Sequence, residues 1–101
     1  MKMDKEQVTT LLEDLKASKV ELGKELKLLG WSEVDPDPES SKATDIRRLI
    51  DDISDFESSI SARDEVKVGW TVFRLAVHAE DASKHSKIAA NIWNECKKNI
   101  H

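Results

Sequence analysis

The side chains best suited to chemistry lie close together near the C-terminal end. His78, Asp81 and His85 are spaced three and four residues apart, so they share one face of a predicted helix. Two imidazoles and a carboxylate are ligands that divalent transition metals accept. However, residues seven apart are separated by about 10 Å along a helix axis, so both imidazoles cannot bind one ion. The spacing therefore predicts an exposed polar face, with no metal and no cofactor.

The other reactive groups are few. Cys96 falls among small and apolar residues at helical spacing, which predicts a buried and inert thiol. A single cysteine cannot form an intramolecular disulfide and fits a reducing, cytoplasmic compartment. The sequence has no Ser-His-Asp grouping, no glycine-rich phosphate loop and no Cys-x-x-Cys motif. We therefore expect no catalytic residues and a protein that is not an enzyme.

A histidine on a helix of a small acidic bundle is also a feature of histidine phosphotransfer domains. In those domains, Lys and Gly follow the phosphorylated histidine. Here His78 is followed by Ala79, Glu80, Asp81 and Ala82, and two acids beside the acceptor would repel a phosphoryl group. A phosphotransfer-like signalling role is therefore kept only as an alternative.

Charge is distributed unevenly along this chain, whose net charge is −4. Residues 31–66 carry eleven acidic and four basic side chains, whereas residues 67–101 carry three acidic and six basic ones. Nucleic-acid binding needs concentrated Lys and Arg, so the acidic middle segment argues against it. No apolar run approaches the ~20 residues of a membrane span, and the N-terminal residues lack an apolar signal region. We expect neither membrane insertion nor secretion.

The first half of the chain predicts one helix and one loop within a single 101-residue domain. Helix 1 covers about 4–29, with Asp4 at its N-terminal cap and Gly30 as its terminator. An acidic loop follows at 31–42, where the sequence Asp-Pro-Asp-Pro excludes a helix.

Helix 2 is predicted at about 43–62. We expect a turn near 61–64, with Asp64 capping the next helix, although an unbroken helix through Arg63 is the competing possibility. The apolar seam of helix 2 has steps of three and four residues: Ile46, Leu49, Ile53, Phe56 and Ile60.

Helix 3 is predicted as one long helix at about 65–99, and it carries two apolar stripes. The first has unbroken four-three spacing: Val68, Val72, Leu75, Ala79, Ala82, Ser86, Ala89, Trp93, Cys96 and Ile100. The second lies on roughly the opposite side: Val66, Trp70, Phe73 and Val77. The predicted fold is therefore an all-α, antiparallel three-helix bundle with a long C-terminal helix.

These features predict a small, acidic, non-enzymatic protein-interaction module of the adaptor, inhibitor or immunity type. One candidate binding surface is the second stripe of helix 3, Val66, Trp70, Phe73 and Val77, because a helix of a monomeric bundle needs only one apolar arc. The competing arrangement places helix 3 at the centre, with helices packed on both stripes. The other is an acidic face of helix 2, comprising Asp51, Asp52 and Asp55. A self-assembling coiled-coil component, with the second stripe as a homo-oligomer seam, is the alternative.

Overall fold

The computed structural model describes residues 4–30 and 41–99, and the secondary structure in these ranges is entirely helical. The helices are α1 (Lys5–Leu28), α2 (Ser41–Ser61), α3 (Glu65–Ala82) and α4 (Lys87–Asn99). The all-α prediction is confirmed. Most of the predicted acidic loop, residues 31–40, lies outside the described residues, and α2 begins two residues before the predicted start of helix 2. No helix in the described part of the chain is long and apolar enough to cross a membrane.

Local sequence signals explain where α1 and α3 begin. The Asp4 side chain accepts a hydrogen bond from the backbone N–H of Gln7, and the Gln7 side chain accepts one from the Asp4 N–H. Asp64 caps α3 in a similar way, accepting from the N–H of Lys67 at 3.1 Å. Arg63, with φ at 56°, reverses the chain before α3. The predicted turn near residues 61–64 is therefore present, and the unbroken helix is not.

The predicted single helix over residues 65–99 is wrong, because the chain leaves the helix after Ala82 and re-enters it at Lys87. A straight helix of that length would extend about 50 Å, whereas the longest dimension of the molecule is 38 Å. Ser86 begins the new helix, since its Oγ accepts a hydrogen bond from the Ala89 N–H at 3.2 Å. The same hydroxyl donates to a carboxylate oxygen of Glu25 at 2.7 Å. This contact ties the start of α4 to the end of α1.

The interruption allows α4 to close the bundle. In the described ranges α1 packs on α2, α2 on α3, α3 on α4, and α4 back on α1. The helices α2 and α3 run in opposite directions, because Asp45 lies beside His85 whereas the later Asp52 lies beside the earlier His78. The described residues thus form four helices, each packed on the next and the last on the first, where the sequence predicted three helices.

The core follows the predicted seams closely. In α2 the seam residues are fully buried except Ile60, which is partly buried. In α1 Leu11 is buried near the start of the helix, and Leu12 is partly buried beside it. The buried apolar side chains of the described residues are Leu11, Leu15, Leu22, Leu26, Ala43, Ile46, Leu49, Ile53, Phe56, Val72, Leu75, Ala76, Ala79, Ala82, Ala89, Ile92 and Cys96.

Candidate functional site

The outer side of α3 carries a row of exposed apolar side chains, here called the α3 surface stripe. Its members are 73% (Val66), 68% (Trp70), 52% (Phe73) and 44% (Val77) exposed. The steps of four, three and four residues keep them on one side of the helix over about three turns. Trp70 and Phe73 touch edge to face, with ring centroids 6.4 Å apart and an interplanar angle of 85°. The two rings thus form a continuous aromatic surface.

The core side of α3 shows that this exposure is not a consequence of poor packing. Val72, Leu75 and Ala79 are fully buried on the opposite side of the same helix. Four of the seven large hydrophobic side chains that are exposed in the described ranges belong to the α3 surface stripe. Single exposed apolar residues scattered over a surface are ordinary, whereas a contiguous set on one helix face is less common in monomeric proteins.

The predicted acidic face of helix 2 does not exist as a single exposed surface. Asp52 is only 5% exposed, so its predicted place on that face is wrong. The Arg74 Nε donates to Asp52 Oδ1 at 2.8 Å, and Arg74 Nη2 donates to Asp55 Oδ2 at 2.5 Å. His78 Nδ1 lies 2.5 Å from Asp52 Oδ2. Of the three predicted residues, Asp51 and Asp55 remain on the surface.

These four side chains, Asp52, Asp55, Arg74 and His78, form an ionic cluster between α2 and α3. The position of Asp52 follows from its spacing, because it lies three residues after Leu49 and four before Phe56 and so shares their stripe. The spacing of Asp52 in the sequence therefore indicates a buried position. Its charge predicts the opposite, because aspartate side chains are usually exposed.

The predicted polar face of His78, Asp81 and His85 is divided by the structure. Both histidines face carboxylates of α2, with His85 Nε2 lying 3.6 Å from Asp45 Oδ2, while Asp81 stays exposed. In the described residues no group of three or more His, Cys, Asp or Glu side chains is arranged to hold a metal ion. The histidines therefore contribute to the contact between two helices.

Cys96 is buried, as its place on the apolar seam predicts. Burial raises the pKa of the Cys96 thiol to about 12, and the negative charge of Glu95 adds a smaller increase. A thiol with such a pKa carries almost no thiolate at neutral pH, so it lacks the nucleophilic form that thiol catalysis requires.

Comparison of the chain with protein-family models, with curated proteins and with solved structures found no match.

Proposed function

We propose that this protein is a non-enzymatic protein-interaction module, of the adaptor, inhibitor or immunity type, that binds a protein partner through the α3 surface stripe. The observation that carries the proposal is the exposure of Trp70 and Phe73, in contact with each other, on a helix whose other side is fully packed. Large aromatic side chains supply much of the binding free energy in protein interfaces and are enriched among their hot spots.

The ionic cluster makes the acidic face the weaker candidate surface. Asp52 is buried and bonded to Arg74, and Asp55 also pairs with Arg74, so their charges are already neutralised within the protein. A partner would have to break these contacts to use either carboxylate. Binding through the apolar stripe should therefore depend little on ionic strength, because salt screens exposed charges but leaves apolar burial largely unchanged.

The test compares two double variants of the full-length protein as bait in a lysate of the cells that express it. The stripe variant is Trp70→Ala with Phe73→Ala. The matched control is Val20→Ala with Leu28→Ala, which removes exposed apolar side chains from α1 instead. A protein captured by the wild type is then purified, and its affinity for each variant is measured by calorimetry.

We expect the stripe variant to bind the purified partner at least about 30-fold more weakly, which is the effect of losing one hot-spot residue. The control should bind within about twofold of the wild type. Circular dichroism and thermal unfolding must show that both variants stay folded. Equal affinity of the stripe variant and the wild type for that partner would refute the proposal.

A phosphotransfer role for His78 is the second candidate function, and one contact favours it. Asp52 holds Nδ1, which selects the tautomer that leaves the Nε2 lone pair available, and the side chain is 27% exposed. Incubation with acetyl phosphate, a small phosphoryl donor, followed by intact-mass analysis at alkaline pH tests this role. A mass increase of one phosphoryl group that disappears in His78→Gln would support it, and an unchanged mass would exclude transfer from this donor.

A further inference from the structure

The α3 surface stripe is symmetric along the chain. Its residues lie at 66, 70, 73 and 77. When a second copy of the helix is placed antiparallel to the first, each stripe position of one copy therefore lies opposite a stripe position of the other. Val66 exchanges with Val77, and Trp70 exchanges with Phe73. The reversed stripe therefore has a valine at each end and an aromatic ring at each central position. A surface of this kind can pack against its own copy across a twofold axis.

Charged side chains flank the two ends of the stripe, with a basic pair at the N-terminal end and an acidic pair at the C-terminal end. Arg63 and Lys67 lie at its N-terminal end, and Glu80 and Asp81 lie at its C-terminal end; all four side chains are exposed. In an antiparallel pair with the register that aligns the stripe, the start of α3 in one copy lies beside the end of α3 in the other. Arg63, in the turn just before α3, therefore comes near Glu80 of the other copy. Lys67 likewise faces Asp81, the pairing expected between the flanking positions of two antiparallel helices. A parallel pair would place like charges together at both ends.

We propose that the occupant of the α3 surface stripe is a second copy of this protein, bound as an antiparallel, twofold-symmetric dimer. This inference rests on the proposed function, since it uses the same surface and names the partner. At its centre, Trp70 of each copy packs on Phe73 of the other, which brings four aromatic rings together around the axis. Two Arg63–Glu80 and two Lys67–Asp81 ion pairs close the ends.

One like-charge approach in this arrangement is already compensated. Arg74 lies beside the stripe near its centre, so the two copies of this residue come close to the twofold axis. Each guanidinium is paired with Asp52 and Asp55 of its own chain, at 2.8 and 2.5 Å. The ionic cluster thus neutralises the Arg74 charge that the twofold axis would otherwise bring close to its own copy.

The decisive experiment reverses the charges at one end at a time. The acidic variant is Arg63→Glu with Lys67→Glu, and the basic variant is Glu80→Lys with Asp81→Lys. Each variant alone faces four repulsive pairs, whereas a mixed dimer of the two regains four attractive ones. The substitutions should preserve α3, because the acidic variant adds negative charge near the helix N-terminus and the basic variant adds positive charge near its C-terminus, as the helix dipole favours.

Sedimentation equilibrium measures association over about 1–300 µM, a range suited to the small interface that one helix per copy provides. We expect the wild type to dimerise, each variant alone to associate at least about tenfold more weakly, and an equimolar mixture to recover association within about threefold of the wild type. A monomeric wild type, undiminished association of either variant, or a mixture that associates no better than its components would each overturn the proposal.

Disulfide trapping tests the direction of the helices. Val66→Cys and Val77→Cys are made as separate variants, and the native Cys96 is retained because its buried thiol does not compete. Mild oxidation of a mixture should give a cross-linked dimer containing one chain of each variant, while neither variant alone cross-links above background. Cross-linking of each variant with itself, and not with the other, indicates a parallel pair and contradicts the proposal.

Failure of this dimer can be distinguished from failure of the interaction surface. A monomeric wild type whose purified partner is lost with Trp70→Ala would remove the second copy as occupant and leave the proposed function intact. Unaltered partner binding and unaltered oligomeric state in Trp70→Ala would remove both.

Discussion

The buried carboxylate of Asp52 offers the sharpest test of the structure. Replacing it with Asn preserves its size and removes its charge, while Asp51→Asn makes the same chemical change at the exposed neighbouring position. Asp52 is 5% exposed and makes charge-assisted contacts with Arg74 at 2.8 Å and with His78 at 2.5 Å. The two substitutions therefore differ mainly in these contacts.

The expected cost comes from the hydrogen bonds. A hydrogen bond to a charged group contributes about 1.5–3 kcal/mol to stability. The Asn side chain can still accept from Arg74, and the Arg74 side chain is 45% exposed, so its released charge is solvated by water. We therefore expect Asp52→Asn to lower the free energy of unfolding by about 1–2 kcal/mol, less than the about 3–5 kcal/mol typical when one member of a fully buried pair is removed.

Urea unfolding followed by circular dichroism measures both variants. Asp51→Asn should change the unfolding free energy by less than about 0.5 kcal/mol, as is usual for exposed positions. For a domain of this size, a loss of 1–2 kcal/mol corresponds to a decrease in Tm of about 4–16 °C. Equal stability of the two variants would refute the assignment of Asp52 as the buried centre of the ionic cluster.

Three further predictions test other parts of the fold. Ser86→Ala removes the cap of α4 and should reduce the unfolding free energy by about 1–2 kcal/mol; Ser83→Ala, in the same turn, serves as its control, and an equal loss in thermal unfolding would contradict a capping role. Phe56→Ala should cost about 3–5 kcal/mol because the side chain is fully buried, whereas Phe73→Ala should cost far less; comparable urea midpoints would disprove the contrast. The pKa of the Cys96 thiol is about 12 in the native protein and 9.0 in the unfolded chain, so the thiol contributes fully to stability below pH 9. Between these two values the unfolding free energy should fall by up to about 1.4 kcal/mol per pH unit as the pH rises. Cys96→Ala should flatten this pH dependence, and an identical slope in the variant and the wild type would exclude the raised pKa.

The α3 surface stripe was predictable because a helix has a fixed angular period. Val66, Trp70, Phe73 and Val77 lie roughly opposite the centre of the core stripe of α3, and the structure leaves all four exposed. That they bind a partner stays a prediction. The acidic face was less predictable, since the environment of Asp52 depends on side chains that are 22 and 26 residues away in the sequence.

Periodicity and local capping chemistry thus determined the helical class, the core side of each helix and the start of α1 and α3. These features depend on residues that lie within one or two helical turns of each other, so they can be predicted from the local sequence. Only the tertiary structure decided the interruption at residues 83–86 and the burial of Asp52. The spacing of four and three residues continues from Ala82 through Ser86 to Ala89, so the local sequence predicts an unbroken helix there. The chain turns there because a longer helix would extend beyond the bundle, and because a carboxylate from α1 meets the new helix start.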